Sequence, residues 1–429
     1  MGIAILLMMA VGVGLMLTRK VPTAFVLVLL SVVIAFMAGA PLMGEKNSVT
    51  TTVLQEGAVA LAATMAAIII GSWLGSIMGE SGIASTLIRK TVELGGDRPY
   101  VVALGVFVVG ILVGTVTGSA PAAMLIGIIG IPTMIAMGVP PTTAAGTVLF
   151  GMCAGIPFEL ISWQYLSQTL GVSIAVVRDF QLRLFPIAVA FGVAYVLIES
   201  RRRGVRHNWA AIAPTRAREG RAERGPRRDA PWYALLTPLV PIVLALVLEV
   251  PIIPALLVGV CYALVTTVPL RQVPTVGLRT LHRSFETAVP PLLLFAAIGI
   301  LLAAVKLPGA VTALRPIVSA VIPTNPILFV VVLGLLTPLC LYRGPFNIYG
   351  MGAGLAGVLT ASGVYAPQVV LGIMASYNQT LGVSDPTSTQ TVWSAGFAGV
   401  RVERVMLRTL PYTWLLAVCG LVLTAWRFM

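Results

Sequence analysis

Four short stretches carry polar chemistry in a chain that is otherwise mostly aliphatic. Two look like turns between apolar runs: Thr117-Gly118-Ser119-Ala120-Pro121, and Tyr342-Arg343-Gly344-Pro345 followed by Phe346-Asn347. Proline suits a helix start, because its missing N–H would be unpaired there anyway. A helix start also carries roughly half a positive charge from its free N–H groups. Two such starts aimed at one point would make an anion site. Arg343 strengthens this reading, since its planar fork takes a carboxylate through two hydrogen bonds. A charge at the centre of a bilayer costs at least ~2.5 kcal/mol, so an arginine kept there implies a function; the alternative is an arginine snorkelling near a loop. The third stretch is Gly155-Ile156-Pro157-Phe158-Glu159, where the carboxyl either carries a coupling proton or hydrogen-bonds a broken helix end. The fourth, Asn378 to Thr391, offers amide, hydroxyl and carboxylate oxygens. Such hard ligands suit Na⁺ or a substrate hydroxyl, unless the stretch is an exposed loop.

The elements that position these residues must lie in a membrane. Hydrophobic residues make up 58% of the 429 and charged residues 10%, where a soluble domain carries roughly 25% charge. Mean hydropathy is +0.98. The chain therefore reads as an all-α polytopic membrane protein. Its apolar runs are continuous, unlike the alternating strands of a transmembrane barrel. The four cysteines sit in apolar segments with no metal or disulfide spacing, and both histidines lie in basic loops. No Ser-His pair, His-Asp pair or metal-ligand cluster in the membrane supports an enzyme, and no phosphate loop ending in Gly-Lys-Ser/Thr supports an ATP-driven pump. A channel is a further alternative, though interrupted helices suit alternating access better than a continuous pore. The first apolar run, Ile3 to Thr18, is followed rather than preceded by Arg19-Lys20 and reads as a retained helix.

The chain also reads as a duplication. Val21-Pro22 matches Val250-Pro251, Ser81-Gly82 matches Pro308-Gly309, Pro121 matches Pro345, and Gly138-Val139 matches Gly363-Val364. Gln168-Thr169-Leu170-Gly171-Val172-Ser173 recurs as Gln379-Thr380-Leu381-Gly382-Val383-Ser384, and Leu182-Arg183 as Leu407-Arg408, with offsets between about 211 and 229 residues. We assign repeat one to residues 1–200, a linker to 201–231 and repeat two to 232–429. Ten of the arginines fall between Arg201 and Ala230, against three acids, in a chain of net charge +13. The positive-inside rule makes this linker cytoplasmic and removes any need for a nucleic-acid partner; its basic residues would also touch anionic lipid. The loop after helix one is Arg19-Lys20 in the first repeat and Glu249 in the second, and basic residues swap loops again after helix two. Inverted repeats with an odd number of crossings do this, and both termini then face outward. Each repeat is expected to hold about five transmembrane helices plus a re-entrant hairpin (99–137 and 326–361, tips near 119 and 343) and a broken helix (142–172 and 367–398). The second broken helix is expected to be interrupted from Asn378 to Thr389. Candidate spans in repeat one are 3–18, 22–41, 57–78 and 184–199. Two true crossings in place of each hairpin would keep the same parity.

Gly114-Thr-Val-Thr-Gly-Ser-Ala-Pro121, the run Ile126 to Met134 (Ile-Gly-Ile-Ile-Gly-Ile-Pro-Thr-Met), Gly138 and Ala144-Ala145-Gly146 resemble the large membrane subunit of TRAP transporters. More broadly they resemble the ion transporter superfamily. The resemblance implies an elevator-type secondary transporter of small organic anions, chiefly carboxylates, in the inner membrane. By position it puts Ser119 and Asn378 to Thr380 at the substrate and cation sites. The full expected substrate set is Thr117, Gly118, Ser119, Arg343, Gly344, Asn347, Asn378 and Thr380. The expected coupling-cation set is Glu159, Gln379, Ser384, Asp385, Thr387 and Ser388. No catalytic residue and no cofactor is expected beyond Na⁺ or H⁺ as coupling ion. The expected partners are the lipid bilayer and a second copy of the chain; alternatively, the chain is a TRAP subunit needing a small membrane subunit and a periplasmic binding protein. The departures are Gly155-Ile156-Pro157-Phe158-Glu159, where a double-proline motif is expected, and Arg-Gly-Pro-Phe-Asn at the second tip.

Overall fold

The computed structural model describes residues 1–18, 20–117, 119–202 and 229–429. Arg19, Gly118 and most of the linker therefore lie outside the described residues, and Ser119 is described by its backbone alone. The described residues form an all-α polytopic membrane protein with no strand. The first half runs α1 (Gly2–Leu17), α2 (Thr23–Met37), α3 (Ala62–Glu80) entered by a π-helical stretch (Val49–Glu56), α4 (Ile83–Gly95), α5 (Pro99–Gly114), α6 (Ser119–Ala136), α7 (Pro141–Gly155), α8 (Leu160–Leu170) and α9 (Ile174–Arg202). The second half runs α10 (Leu239–Val247), α11 (Ile252–Thr267), α12 (Val273–Val305), α13 (Pro308–Val321), α14 (Pro326–Leu336), α15 (Met351–Ser362), α16 (Pro367–Ser384), α17 (Thr389–Phe397) and α18 (Val402–Phe428).

The same succession of elements thus occurs twice, and equivalent helices meet head to tail. Along the α3–α12 contact, Gly57 touches Gly299, the Trp73 indole donates to Thr280 Oγ1 at 3.0 Å, and Glu80 pairs with Arg279. Rising numbers on one helix face falling numbers on the other. The last helices behave alike: Asp179 near the start of α9 meets Arg427 at the end of α18 (3.7 Å). Glu199 at the end of α9 meets Arg408 (3.9 Å) and Tyr412 (3.1 Å) near the start of α18. Partners are also exchanged reciprocally, with α2 packed on α12 and α11 on α3. This antiparallel pairing is what an inverted duplication requires.

Among the described residues, four helical stretches are long and apolar enough to cross a membrane: Val49–Glu80, Ile174–Arg202, Leu270–Val305 and Val402–Phe428. Two further pairs are bent, α7 with its terminal turn against α8 by 58° and α13 against α14 by 103°. Residues 115–117 after α5, and 341–350 between the 3-10 turn Thr337–Cys340 and α15, are non-helical backbone. Such backbone survives at membrane depth only where protein or a wet cavity surrounds it.

Here small residues provide the surrounding protein. A Cβ on Gly114 would stand 2.2 Å from the Met152 carbonyl oxygen, and one on Gly155 2.4 Å from that of Ile111. Gly110 and Gly151 meet in the same way, so a Gly-x-x-x-Gly pair on α5 locks backbone to backbone with one on α7. The second half uses Gly372 and Ser376 against Gly420 and Thr424, between α16 and α18.

Three sequence expectations need correction. The hexapeptide shared by Gln168–Ser173 and Gln379–Ser384 is not structurally equivalent: the first spans the end of α8 and the turn into α9, the second lies inside α16. The equivalent of Gly171, left-handed at φ 68°, is Gly399 at φ 70°. Element order then stays in step through both halves. Second, α16 is not interrupted from Asn378; it continues to Ser384. What stops it is Pro386, whose ring pushes the preceding residue out of the α region, and Asp385 sits at φ −72°, ψ 112°. Third, the span expected at 184–199 begins ten residues earlier, because its charged first turns find partners, Arg178 on Glu249 and Arg183 on Asp179.

Candidate functional site

The two broken helices build the polar centre. α7 ends at Gly155, tightens into a 3-10 turn (Ile156–Phe158) and stops at Glu159, at φ −73°, ψ 110°. The Trp163 indole donates to the Pro157 carbonyl at 2.9 Å and closes that turn. The second break holds Asp385 in nearly the same backbone conformation, at φ −72°, ψ 112°. Glu159 is the residue that opens α8, and Asp385 the residue that closes α16, three positions before Ser388 opens α17. Both are buried, Glu159 at 7% exposure and Asp385 at 3%.

Asp385 is a latch. Its Oδ1 accepts from the Tyr342 backbone N–H (3.1 Å), the Thr387 N–H (2.9 Å) and the Thr387 hydroxyl (2.8 Å). Its Oδ2 accepts from the Asn347 amide at 3.4 Å. The second tip is thereby tied to the second break. Ser388 closes the loop by donating to the Asp385 carbonyl (2.9 Å) and sharing a hydrogen bond with Thr391 (2.7 Å). The tip itself is strained: Tyr342 and Arg343 are both left-handed, at φ 54° and 59°. Gly344 is required by space, because a Cβ there would lie 2.0 Å from the Leu339 carbonyl oxygen.

Glu159 lies within electrostatic range of Tyr349 and Cys153. Tyr349 stacks on Tyr165 at 5.7 Å, and the Tyr165 hydroxyl donates to the Ile348 carbonyl. The Tyr349 hydroxyl lies beside Asn378. The Cys153 thiol, on α7, donates toward the Gln379 carbonyl (3.4 Å) and side-chain oxygen (3.5 Å), on α16. Among the described residues, three buried polar atoms at this level have no hydrogen-bond partner: Asn378 Nδ2, Gln379 Nε2 and Ser162 Oγ. Two of them are amide donors on consecutive residues. A buried donor left unpaired costs about 1–3 kcal/mol, so these atoms suit a bound acceptor.

The expected site residues thus divide. Asn347, Asp385, Thr387 and Ser388 come together at the second break, and Glu159, Asn378 and Gln379 around Tyr349 and Cys153. Thr380 and Ser384 face α18 instead: Thr380 donates to the Thr413 carbonyl at 3.1 Å, and Ser384 shares hydrogen bonds with Thr409 and Thr413, each 2.8 Å. The Arg343 guanidinium bonds the Thr23 hydroxyl at the start of α2 and makes no hydrogen bond in the Asp385 cluster. Thr117, at the first tip, is buried against Gly75 of α3. Gly118 and the Ser119 side chain lie outside the described residues. Sequence reasoning missed Tyr165, Tyr349 and Cys153. Their signal was a hydroxyl or thiol inside an apolar run.

No protein-family model and no curated protein sequence matches the chain. Among solved structures, the fold is similar to the crystal structure of the YdaH transporter of Alcanivorax borkumensis, described as having an unusual topology. Identity is 13% and the TM-score 0.60, over 94% of this chain and 95% of that one. At that identity the likeness is one of fold.

Proposed function

We propose that this chain is a secondary active transporter of small organic anions, carboxylates foremost, coupled to Na⁺ or H⁺ and working by elevator-type alternating access in the inner membrane. The observation that carries this reading is the pair of buried acids, Glu159 and Asp385, at equivalent breaks of two inverted helices. Ionisable groups inside a bilayer are expensive, and they mark ion and substrate pathways. Two buried carboxylates offer a cation hard oxygen ligands and a proton a carrier. The unpaired amides of Asn378 and Gln379 offer an anion two donors within the same layer. Binding one anion with one cation leaves less charge to carry through the membrane than either alone. Similarity of fold to a membrane transporter supports the general class.

In this reading the chain works without a binding protein or small membrane subunit. The test is uptake of radiolabelled small carboxylates by proteoliposomes holding only the purified chain, under a Na⁺ gradient, a proton gradient or neither. Concentrative uptake under one gradient is the expected result, lost in Asp385→Asn or Glu159→Gln. Gradient-independent flux would point to a channel. Uptake that needs an added binding protein would favour the tripartite TRAP arrangement.

A further inference from the structure

A cavity of about 170 Å³ lies behind the second tip, outside the polar layer. Its walls come from both arms of the second hairpin, α14 and α15, from α16, and from the connector between α13 and α14. Phe346, Ala356, Met374, Tyr365 and Tyr377 set its character. Both tyrosine hydroxyls are engaged, Tyr365 with the Pro323 carbonyl at 2.5 Å and Tyr377 with that of Leu333 at 2.7 Å. They therefore present rings to the space. Water needs two to four polar partners and finds none to spare here, whereas an apolar cavity of about 150 Å³ stays dry and takes benzene. Exposed Val321 stands at the rim, which gives a route in from outside the protein.

The position matters as much as the chemistry. Phe346 and Ile348 line the cavity, and Asn347 between them donates to Asp385. An occupant pressing on Phe346 and Ile348 would keep Asn347 against the second break. We propose that this cavity binds a small, compact hydrocarbon ring, or a molecule bearing one, and that its occupant holds the second tip in the register seen here. The volume and the aromatic lining argue for a ring rather than a lipid tail. About 170 Å³, walled by Phe346, Tyr365 and Tyr377, is close to the ~150 Å³ that accepts benzene and is small for a whole lipid tail.

The experiment uses the full chain in nanodiscs with fluorobenzene as probe, followed by ¹⁹F NMR, and 1-fluorohexane as the linear comparison. Saturable fluorobenzene binding above that of empty nanodiscs is expected, weakened at least tenfold by Ala356→Leu, which fills the space. Met374→Ala enlarges it and should shift preference toward fluoronaphthalene, so the test holds even if the first variant fails to fold. Fluorobenzene should also slow amide exchange across 341–350 at least threefold in the native chain, and not in Ala356→Leu. No saturable binding, equal binding of 1-fluorohexane, or binding indifferent to both substitutions would overturn the site. Unchanged exchange with the cavity filled would overturn the hold on the tip. These readouts do not depend on transport. Only a further expectation, that fluorobenzene lowers maximal carboxylate uptake without changing KM, rests on the function proposed above.

Discussion

Replacing Asp385 by alanine removes the side chain that hydrogen-bonds the second tip to the second break, and its cost follows from the geometry. Two consecutive residues of that tip, Tyr342 and Arg343, hold left-handed backbone, at about 1–2 kcal/mol each. Against this, the carboxylate receives four hydrogen bonds, and bonds to a charged group contribute about 1.5–3 kcal/mol each. Two of the four reach the tip, from the Tyr342 N–H and the Asn347 amide. The latch therefore outweighs the strain by only a few kcal/mol at most, and without it the balance turns. The expected result in Asp385→Ala is a tip that opens locally while the helices stay folded. If about 2 kcal/mol of protection is lost, amide exchange across 341–350 rises roughly thirtyfold. Asp385→Asn keeps an oxygen for the Oδ1 donors and loses mainly the Asn347 bond, so its exchange should rise less than tenfold. Hydrogen exchange read by mass spectrometry measures both. Exchange in Asp385→Ala within twofold of the native chain would refute the latch. A uniform rise over all helices would show that Asp385 stabilises the whole fold rather than the tip.

Gly114→Ala and Gly155→Ala should each lower thermal stability by about 1–3 kcal/mol, because the new methyl meets a backbone carbonyl that cannot move alone. Gly14→Ala, with open space around its Cβ, should be neutral in the same melt. At the α9–α18 contact, Glu199 is buried whereas its partners Arg202 and Arg408 are largely exposed. Removing both arginines together should therefore cost more stability than Glu199→Gln, since it strands a buried carboxylate with Tyr412 as its one remaining donor among the described residues. Denaturant titration of the variants decides the order. Finally, Glu249 sits against Arg178 at the start of α9, while the linker leaves from its other end. A cysteine at Glu249 should be labelled from the side opposite to one placed at Arg216. Labelling of both from one side would rule out the inverted arrangement.

The interruptions were legible where local chemistry sets them. Pro157 and Pro386 mark the two breaks, and the non-helical stretches at 115–117 and 341–350 mark the end of α5 and the start of α15, because proline and glycine restrict or free the backbone wherever they stand. The break at Asn378 was misplaced for a different reason. Asn, Gln, Thr and Ser disfavour a helix only while their side chains compete for its backbone. Thr380 and Ser384 instead bond to α18, about 25 to 33 residues further on. Glu159 and Asp385 were both singled out from the sequence, but not as equivalents, because the shared hexapeptide set the second repeat in the wrong register. Six identical residues are a weak guide where the environment admits many apolar and small polar substitutes.

Composition alone determined that this chain lies in a membrane, since hydropathy is a sum over residues and needs no partner, while the expectation of two related halves came from the order of short recurring motifs. Only the tertiary structure decided which polar groups share a site. Arg343 turns to Thr23, Thr380 and Ser384 turn to α18, and Asn378, Gln379 and Glu159 converge near Cys153 and Tyr349. In a medium without water each buried polar group must find its partner in the protein. Which partner it finds is fixed by how helices far apart in the chain are packed.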